Sequence, residues 1–211
     1  MYMTIAFYFD PCCPFCWITS RWLLSIQNDR DITIDWRPFS LAIKNDEVVS
    51  SDSAMATMHH SAHRLLRVMT AAHNEHNASF IDMYSYSGVQ HHVLGFAIDD
   101  ELIKTMLDEF NLPSELADVA DSTKYDESLQ DSINSATKIA GEDTGVPTIV
   151  FTAEDGTEQG FFGPVLQELP NKNEALDLWD GLAKLASNTS FYELKRSRPD
   201  GLPDVGSTAK C

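Results

Sequence analysis

The stretch Met3-Thr4-Ile5-Ala6-Phe7-Tyr8-Phe9-Asp10-Pro11-Cys12-Cys13-Pro14-Phe15-Cys16-Trp17 runs an apolar segment directly into two cysteines spaced as C-x-x-C. Its first seven residues read as a strand, bounded by the turn chemistry of Asp10-Pro11. Pro14 suits the first position of a helix, where its missing N–H costs nothing. Ile18, Trp22 and Ile26 recur every four residues with Leu23 beside them, so a helix over 14–27 has one apolar face. A thiol at the start of such a helix lies where unpaired backbone N–H groups and the macrodipole favour its anion. Only that anion attacks, so the segment points to thiol redox chemistry.

Working outward, Ile32, Ile34 and Trp36 alternate with Thr33, Asp35 and Arg37, which predicts a second strand reaching Pro38. Strand, helix and strand suggest a right-handed parallel unit. Residues 51–140 carry helical patterning throughout: Leu65, Leu66, Val68, Met69 and Ala72 form one stripe. Asp99 or Asp100 can cap a helix bearing Leu102, Ile103, Met106, Leu107 and Phe110, Pro113 opens a short helix, and Leu129, Ile133, Ala136 and Ile139 mark a last one before Gly141. Strand character returns at Thr148-Ile149-Val150-Phe151. Glu154-Asp155-Gly156 then turns the chain into a strand ending at Phe161-Phe162, which reads as a hairpin. Leu176, Leu178, Trp179, Leu182 and Leu185 define a final helix, capped by Asn171 or Asn173. Beyond Phe191 the chain turns basic and rich in Pro and Gly, the pattern of a mobile tail.

This order is that of an α/β protein with a thioredoxin fold and an inserted all-helical subdomain. It divides the chain into 1–50 with the C-x-x-C, the helical insertion 51–140, a second thioredoxin part 141–190, and a tail 191–211. Fifteen Lys and Arg against 32 Asp and Glu give a formal charge of -17, which repels phosphate backbones and anionic lipid. Nucleic acid and membrane surfaces are thereby excluded as expected partners. Acidic residues concentrate between Asp99 and Glu127, opposed by Lys104 and Lys124 alone, and read as a solvated helical face. No basic n-region or long apolar run opens the chain, so a cytoplasmic setting is expected. Three of the four cysteines fall within five positions and cannot staple long loops, which in a reducing compartment leaves catalysis or metal binding.

Within this frame Cys13 takes the exposed N-terminal position and attacks, while Cys16, one turn in, resolves the mixed disulfide. A zinc site needs a second ligand pair, and none is visible at suitable spacing. Pro147 opens the third strand, where proline is tolerated only at a start or an edge. The element order makes its bond to Val146 a candidate cis peptide that sets the Val146 backbone beside Cys13, ready to hold an extended substrate. Pro14 and Phe15 supply a docking surface between the cysteines, and Trp17 reads equally as core or groove. Asp10 fits either a modulator of thiol ionisation or a turn cap. Cys12 reads as a bystander, because adjacent cysteines pair only with strain, and Cys211 reads as one because it lies at the end of the mobile tail. All seven histidines lie in the helical block, and His59 and His63 share a helix face; without H-E-x-x-H they read as polar surface or groove lining.

The segment 9–22, together with Ser40-Leu41-Ala42-Ile43, Asn45, Gly141-Glu142-Asp143, Gly145, Pro147-Thr148, Phe161-Phe162-Gly163-Pro164-Val165-Leu166, Phe191 and Glu193-Leu194-Lys195-Arg196, resembles actinobacterial DsbA-family oxidoreductases known as mycothiol-dependent nitroreductases. The resemblance implies a DsbA-like fold and dithiol–disulfide exchange through Cys13 and Cys16. It further implies mycothiol as reducing co-substrate with no tightly bound cofactor and no metal, a disulfide-bearing protein or small molecule as substrate, and a cytoplasmic monomer or homodimer. By the same resemblance Pro147 is the cis proline and Asn45 lines a groove between the subdomains. Phe15 stands where relatives often carry Trp, and loss of the indole bears on the use of flat aromatic substrates. Kappa-class transferases and isomerases share a similar scaffold but typically have Ser at the first cysteine. A thiol-dependent isomerase or transferase and a redox-inactive peptide-binding chaperone are the alternative functions.

Overall fold

The computed structural model describes residues 3–47 and 53–209. Cys211 and the boundary drawn at 50/51 lie outside the described residues. Strand β1 (Met3–Phe9), helix α1 (Pro14–Ile26) and strand β2 (Ile32–Pro38) follow one another at the N-terminal end. Strands β3 (Thr148–Thr152) and β4 (Glu158–Phe162) form the hairpin, and the sheet order is β2-β1-β3-β4. β1 pairs parallel to β2 and antiparallel to β3, with Phe7 opposite Ile149 and Tyr8 opposite Thr148. This register sets the start of β3 beside the end of β1, where the cysteine motif begins.

β1 is central and fully buried: Ile5, Phe7, Tyr8 and Phe9 are all inaccessible. Such a strand needs a layer on each face. On one face Phe151 packs on Trp179 of α7 (Lys172–Ala186), which also meets Trp22 of α1; the two ring pairs stand 5.8 and 6.1 Å apart. Trp22 Nε1 donates to Ala175 O at 3.0 Å, locking α1 to α7. On the other face α6 (Asp126–Ala140) lies so close that a Cβ at Gly160 would stand 3.1 Å from Ala140 and Ile139. Asn171 and Glu174 form a capping box at the start of α7, which selects between the two candidate caps. The stripe read on α7 is only partly the core: Ala175, Trp179 and Ala186 are buried, whereas Leu185 is exposed.

The insertion comprises α3 (Ala54–His76), α4 (Phe80–Gly88), a π-helical turn Val89–Val93, α5 (Asp100–Glu109), a 3₁₀ segment Ser114–Asp121 and α6, with the short α2 (Leu41–Lys44) leading into it. Ser53, Ser79 and Asp99 cap α3, α4 and α5 by accepting backbone N–H groups. The α3 stripe Leu65, Leu66, Val68, Met69 and Ala72 is fully buried. Part of the acidic surface is answered from α3: Arg64 reaches Asp100 and Asp121, and Lys124 pairs with Glu75. The two histidines of the shared face are not surface groups, because His59 is 7 % exposed and His63 not at all. His63 Nδ1 meets Ser40 Oγ at 3.0 Å, and burial beside Arg67 lowers its pKa to about 4, keeping it neutral.

The tail also departs from its sequence reading. Phe191 packs on Phe161, Asp204 N donates to Gln167 O, and a 3₁₀ turn Val205–Thr208 docks on α1, burying Thr208. Residues 191–209 therefore form a strap held at both ends, by one aromatic ring upstream and by a hydroxyl and backbone atoms downstream, too few and too scattered to give a hydrophobic periodicity to read.

Candidate active site

The site is assembled where β1 ends. Asp10 is fully buried, and its carboxylate accepts Cys12 N at 2.9 Å and Leu41 N at 2.8 Å. It therefore fastens the turn before the cysteines to the start of α2. Burial pushes its pKa up, while the N–H groups of Leu41 and Cys12 pull it back. Cys13 is the N-cap of α1, and its sulfur accepts the Cys16 N–H at 3.4 Å. Pro14 follows as the first helical residue, so the helix start is rigid on both sides of the thiol.

Ionisation is divided unequally between the three described thiols. The hydrogen bond from the Cys16 side chain lowers the Cys13 pKa, helped by the Cys16 and Phe15 N–H groups and opposed by burial and Asp10. Burial raises Cys16 well above an ordinary thiol, and hydrogen bonding to the Cys13 thiolate adds to the effect. Cys12 is raised by burial and by the Asp10 charge. Exposure follows the same order, 8 % for Cys13, 2 % for Cys12 and none for Cys16. Cys13 is thus the least buried of the three and the one whose anion is favoured, although at 8 % exposure it is buried and not the exposed thiol its N-terminal position predicts. Alkylation of the reduced protein is expected on the Cys13 peptide first. Because only the thiolate reacts, its rate rises with pH and levels off above its own pKa. The midpoint falls below the value of about 8.5 for a free cysteine. Peptide-resolved mass spectrometry across a pH series checks it, and a midpoint above free cysteine counts against the arrangement.

Across from Cys13 the Val146–Pro147 peptide is cis, and Val146 O lies 3.7 Å from Cys13 Sγ. The structure therefore brings together Cys13, Pro14, Phe15, Cys16, Val146 and Pro147. It does not bring Asn45 to them: that residue ends α2, and its hydrogen-bond partner among the described residues is His59, 3.4 Å away. His59 in turn meets Glu47 at 2.5 Å.

Several groups around the site were not read from sequence. His92, in the π-helical turn, places Nε2 2.9 Å from Pro11 O and stacks on Trp17 at 5.6 Å; burial lowers its pKa to about 3, so it is neutral. Trp17 is core, 1 % exposed, with the Arg21 guanidinium 4.2 Å over its ring and Nε1 donating to Thr208 Oγ1 at 2.8 Å. A Cβ at Gly88 would stand 2.3 Å from the indole, so only glycine fits there. Gly163–Pro164 is a second cis peptide; Gly163 N donates to Pro147 O, and Thr19 Oγ1 donates to Pro164 O. The Phe161-Phe162-Gly163-Pro164 segment stands out in the sequence, but nothing in its residue types says that it backs Pro147. Among the described residues no group of three or more potential metal ligands occurs, and no helix is long and apolar enough to cross a membrane.

A C-x-x-C at a helix start, facing a cis proline on a thioredoxin sheet with inserted helices, defines a thiol–disulfide oxidoreductase of the DsbA type. A family model described as Rv2466c-like, mycothiol-dependent nitroreductase Rv2466c, matches residues 12–196, and the chain belongs to that family. It is 32 % identical over 200 residues to the uncharacterized protein Rv2286c of Mycobacterium tuberculosis, covering 92 % of this chain and 82 % of that one. The fold is shared with the cytosolic disulfide reductase DsbM of Pseudomonas aeruginosa, at 13 % identity and TM-score 0.58 over 87 % of this chain and 100 % of that one. A probable DsbA oxidoreductase of Streptomyces coelicolor superposes with TM-score 0.55 at 15 % identity, over 95 % and 98 % of the two chains.

Proposed function

We propose that the protein is a cytoplasmic dithiol–disulfide reductase in which Cys13 attacks, Cys16 resolves and mycothiol returns the electrons. The observation that carries this reading is the N-cap geometry of Cys13, with the Cys16 N–H on its sulfur and a pKa driven opposite to that of Cys16. The Cys13 thiolate forms a bond to one substrate sulfur and releases the other as thiolate. Cys16, deprotonated, then displaces the substrate from Cys13, closing the Cys13–Cys16 disulfide and releasing the second thiol. Two mycothiol molecules reopen that disulfide and leave as mycothiol disulfide, so electrons balance in each cycle. Val146 O and Pro147 hold the substrate chain beside Cys13, and Pro14 and Phe15 floor the site.

In this reading 1–50 and 141–190 carry the redox centre, 51–140 form the insertion and 191–211 the tail. Family membership supports mycothiol as co-substrate. The family description also extends the acceptors to nitro compounds. The two electrons and two protons of one dithiol take a nitro group to nitroso and water. Cys16→Ser, treated with mycothiol disulfide, is expected to gain one mycothiol on the Cys13 peptide, read by intact and peptide mass. An absent adduct sinks the two-thiol mechanism. Turnover retained by Cys16→Ser without net oxidation points instead to a thiol-dependent isomerase or transferase.

A further inference from the structure

We infer that Arg198 is a specificity-determining residue of the active site, selecting disulfides that carry a carboxylate near the sulfurs. The inference rests on the reductase reading above and adds the substrate class to it. The Arg198 guanidinium stands 5.1 Å over the ring of Phe15, the residue between the two reactive cysteines. It is held there by the strap, which is anchored upstream where Phe191 packs on Phe161 and downstream where Thr208 takes the Trp17 indole N–H. The strap thus touches the residues on both sides of Cys16 in sequence, Phe15 and Trp17, and in this inference it borders the approach to Cys13.

Charge decides what this strap recognises. The chain has more than twice as many acidic as basic residues, and Arg30, Arg37, Arg64, Arg67, Lys124 and Lys172 each pair with a carboxylate of the protein itself. Lys195, Arg196 and Arg198 are exposed and have no such pairing among the described residues. The Arg198 charge therefore stands over Phe15, between the two cysteines in sequence, with no ion pair among the described residues, in a molecule whose net charge of -17 repels anions. A guanidinium attracted to an aromatic ring keeps N–H donors for a carboxylate, in the fork geometry that lysine lacks. Phe15 offers a flat apolar contact to the same ligand. An aromatic or compact disulfide with an adjoining carboxylate satisfies both groups at once.

The test compares 5,5′-dithiobis(2-nitrobenzoate), an anionic aromatic disulfide, with neutral 2,2′-dithiodipyridine. Fully reduced full-length protein reacts with each in single turnover at low salt, and the released chromophore is followed. The two probes differ in intrinsic reactivity, so the readout is the change in their rate ratio between proteins. In Arg198→Ala the anionic-to-neutral ratio is expected to fall about fivefold, the worth of an exposed ion pair. Arg198→Glu lowers it further, Arg198→Lys restores part of it, and about 0.5 M salt compresses these differences. A purely structural role slows both probes in proportion and leaves the ratio unmoved. An unmoved ratio, or one insensitive to the sign of residue 198, overturns the inference while leaving the reductase reading intact. A wild-type protein that reduces neither probe faster than a free thiol overturns both.

Discussion

Cys13→Ser is expected to reduce the rate of disulfide reduction by roughly a thousandfold or more, as loss of a nucleophile does in enzymes that work through a covalent intermediate. A hydroxyl has no anion at neutral pH and cannot form the mixed disulfide. Neither neighbouring thiol can take over: Cys16 is inaccessible and held protonated by burial, and Cys12 is 2 % exposed and raised by both burial and Asp10. The fold is expected to survive, because serine is among the favoured N-cap residues and its oxygen can accept the Cys16 N–H that the sulfur now takes. Thermal unfolding should therefore stay close to that of the parent while insulin or mycothiol-disulfide reduction disappears. Activity within tenfold of the parent would remove Cys13 from the mechanism.

Much of the architecture was legible because the sequence repeats its message at several levels. β1, α1 and β2 were readable from alternation, a four-residue stripe and a proline at the first helical position, and the structure places them at 3–9, 14–26 and 32–38. The hairpin followed from Glu154-Asp155-Gly156, and Gly156 does adopt a positive φ of 83°. What escaped the reading shares a different physical cause. The strap docks through Thr208 and through the backbone atoms of Leu202 and Asp204, none of which carries a periodic signal. His63 looked like a polar face because its type is polar, yet a buried imidazole needs only partners, and Ser40 and Asp126 come from distant parts of the chain.

The site was legible to the same extent. The local part, Cys13 to Cys16, could be read because a helix start fixes its own geometry. Its position opposite Val146 and Pro147 required the sheet order, which the succession of elements supplied. The supports behind it did not follow from either. His92 reaches Pro11 only because α4 gives way to a π-helical turn at Val89, and no composition rule announces that change of pitch. Asn45 was assigned by resemblance alone, and the structure gives it a partner in His59 rather than in the cysteine motif.

The same long-range pairing that sequence could not show makes Asp126 a residue whose loss should cost the fold heavily. Asp126 opens α6 and accepts a two-pronged contact from Arg67 of α3, Nε to Oδ1 at 2.7 Å and Nη2 to Oδ2 at 2.6 Å. Arg67 Nη1 donates in addition to Ala120 O, and His63 Nε2 lies 3.3 Å from Asp126 Oδ1. Helix α3 is thereby clamped to α6, the helix that covers β3 and β4. Arg67 is 4 % exposed, so removing the carboxylate leaves a guanidinium charge with little water to solvate it. Breaking a buried pair in this way costs about 3–5 kcal/mol, and the partial exposure of the Asp126 side chain, 26 %, places the expected loss for Asp126→Ala at about 3 kcal/mol. For a chain of this size that corresponds to a drop in Tm of about 6–12 °C. The double variant Arg67→Met with Asp126→Leu removes both charges, and should recover most of the loss because apolar replacement of a whole buried pair is close to neutral. If Asp126→Ala shifts Tm by less than about 2 °C, the clamp is not holding α3 to α6. If the double variant is no more stable than the single one, the cost comes from packing and not from the stranded charge.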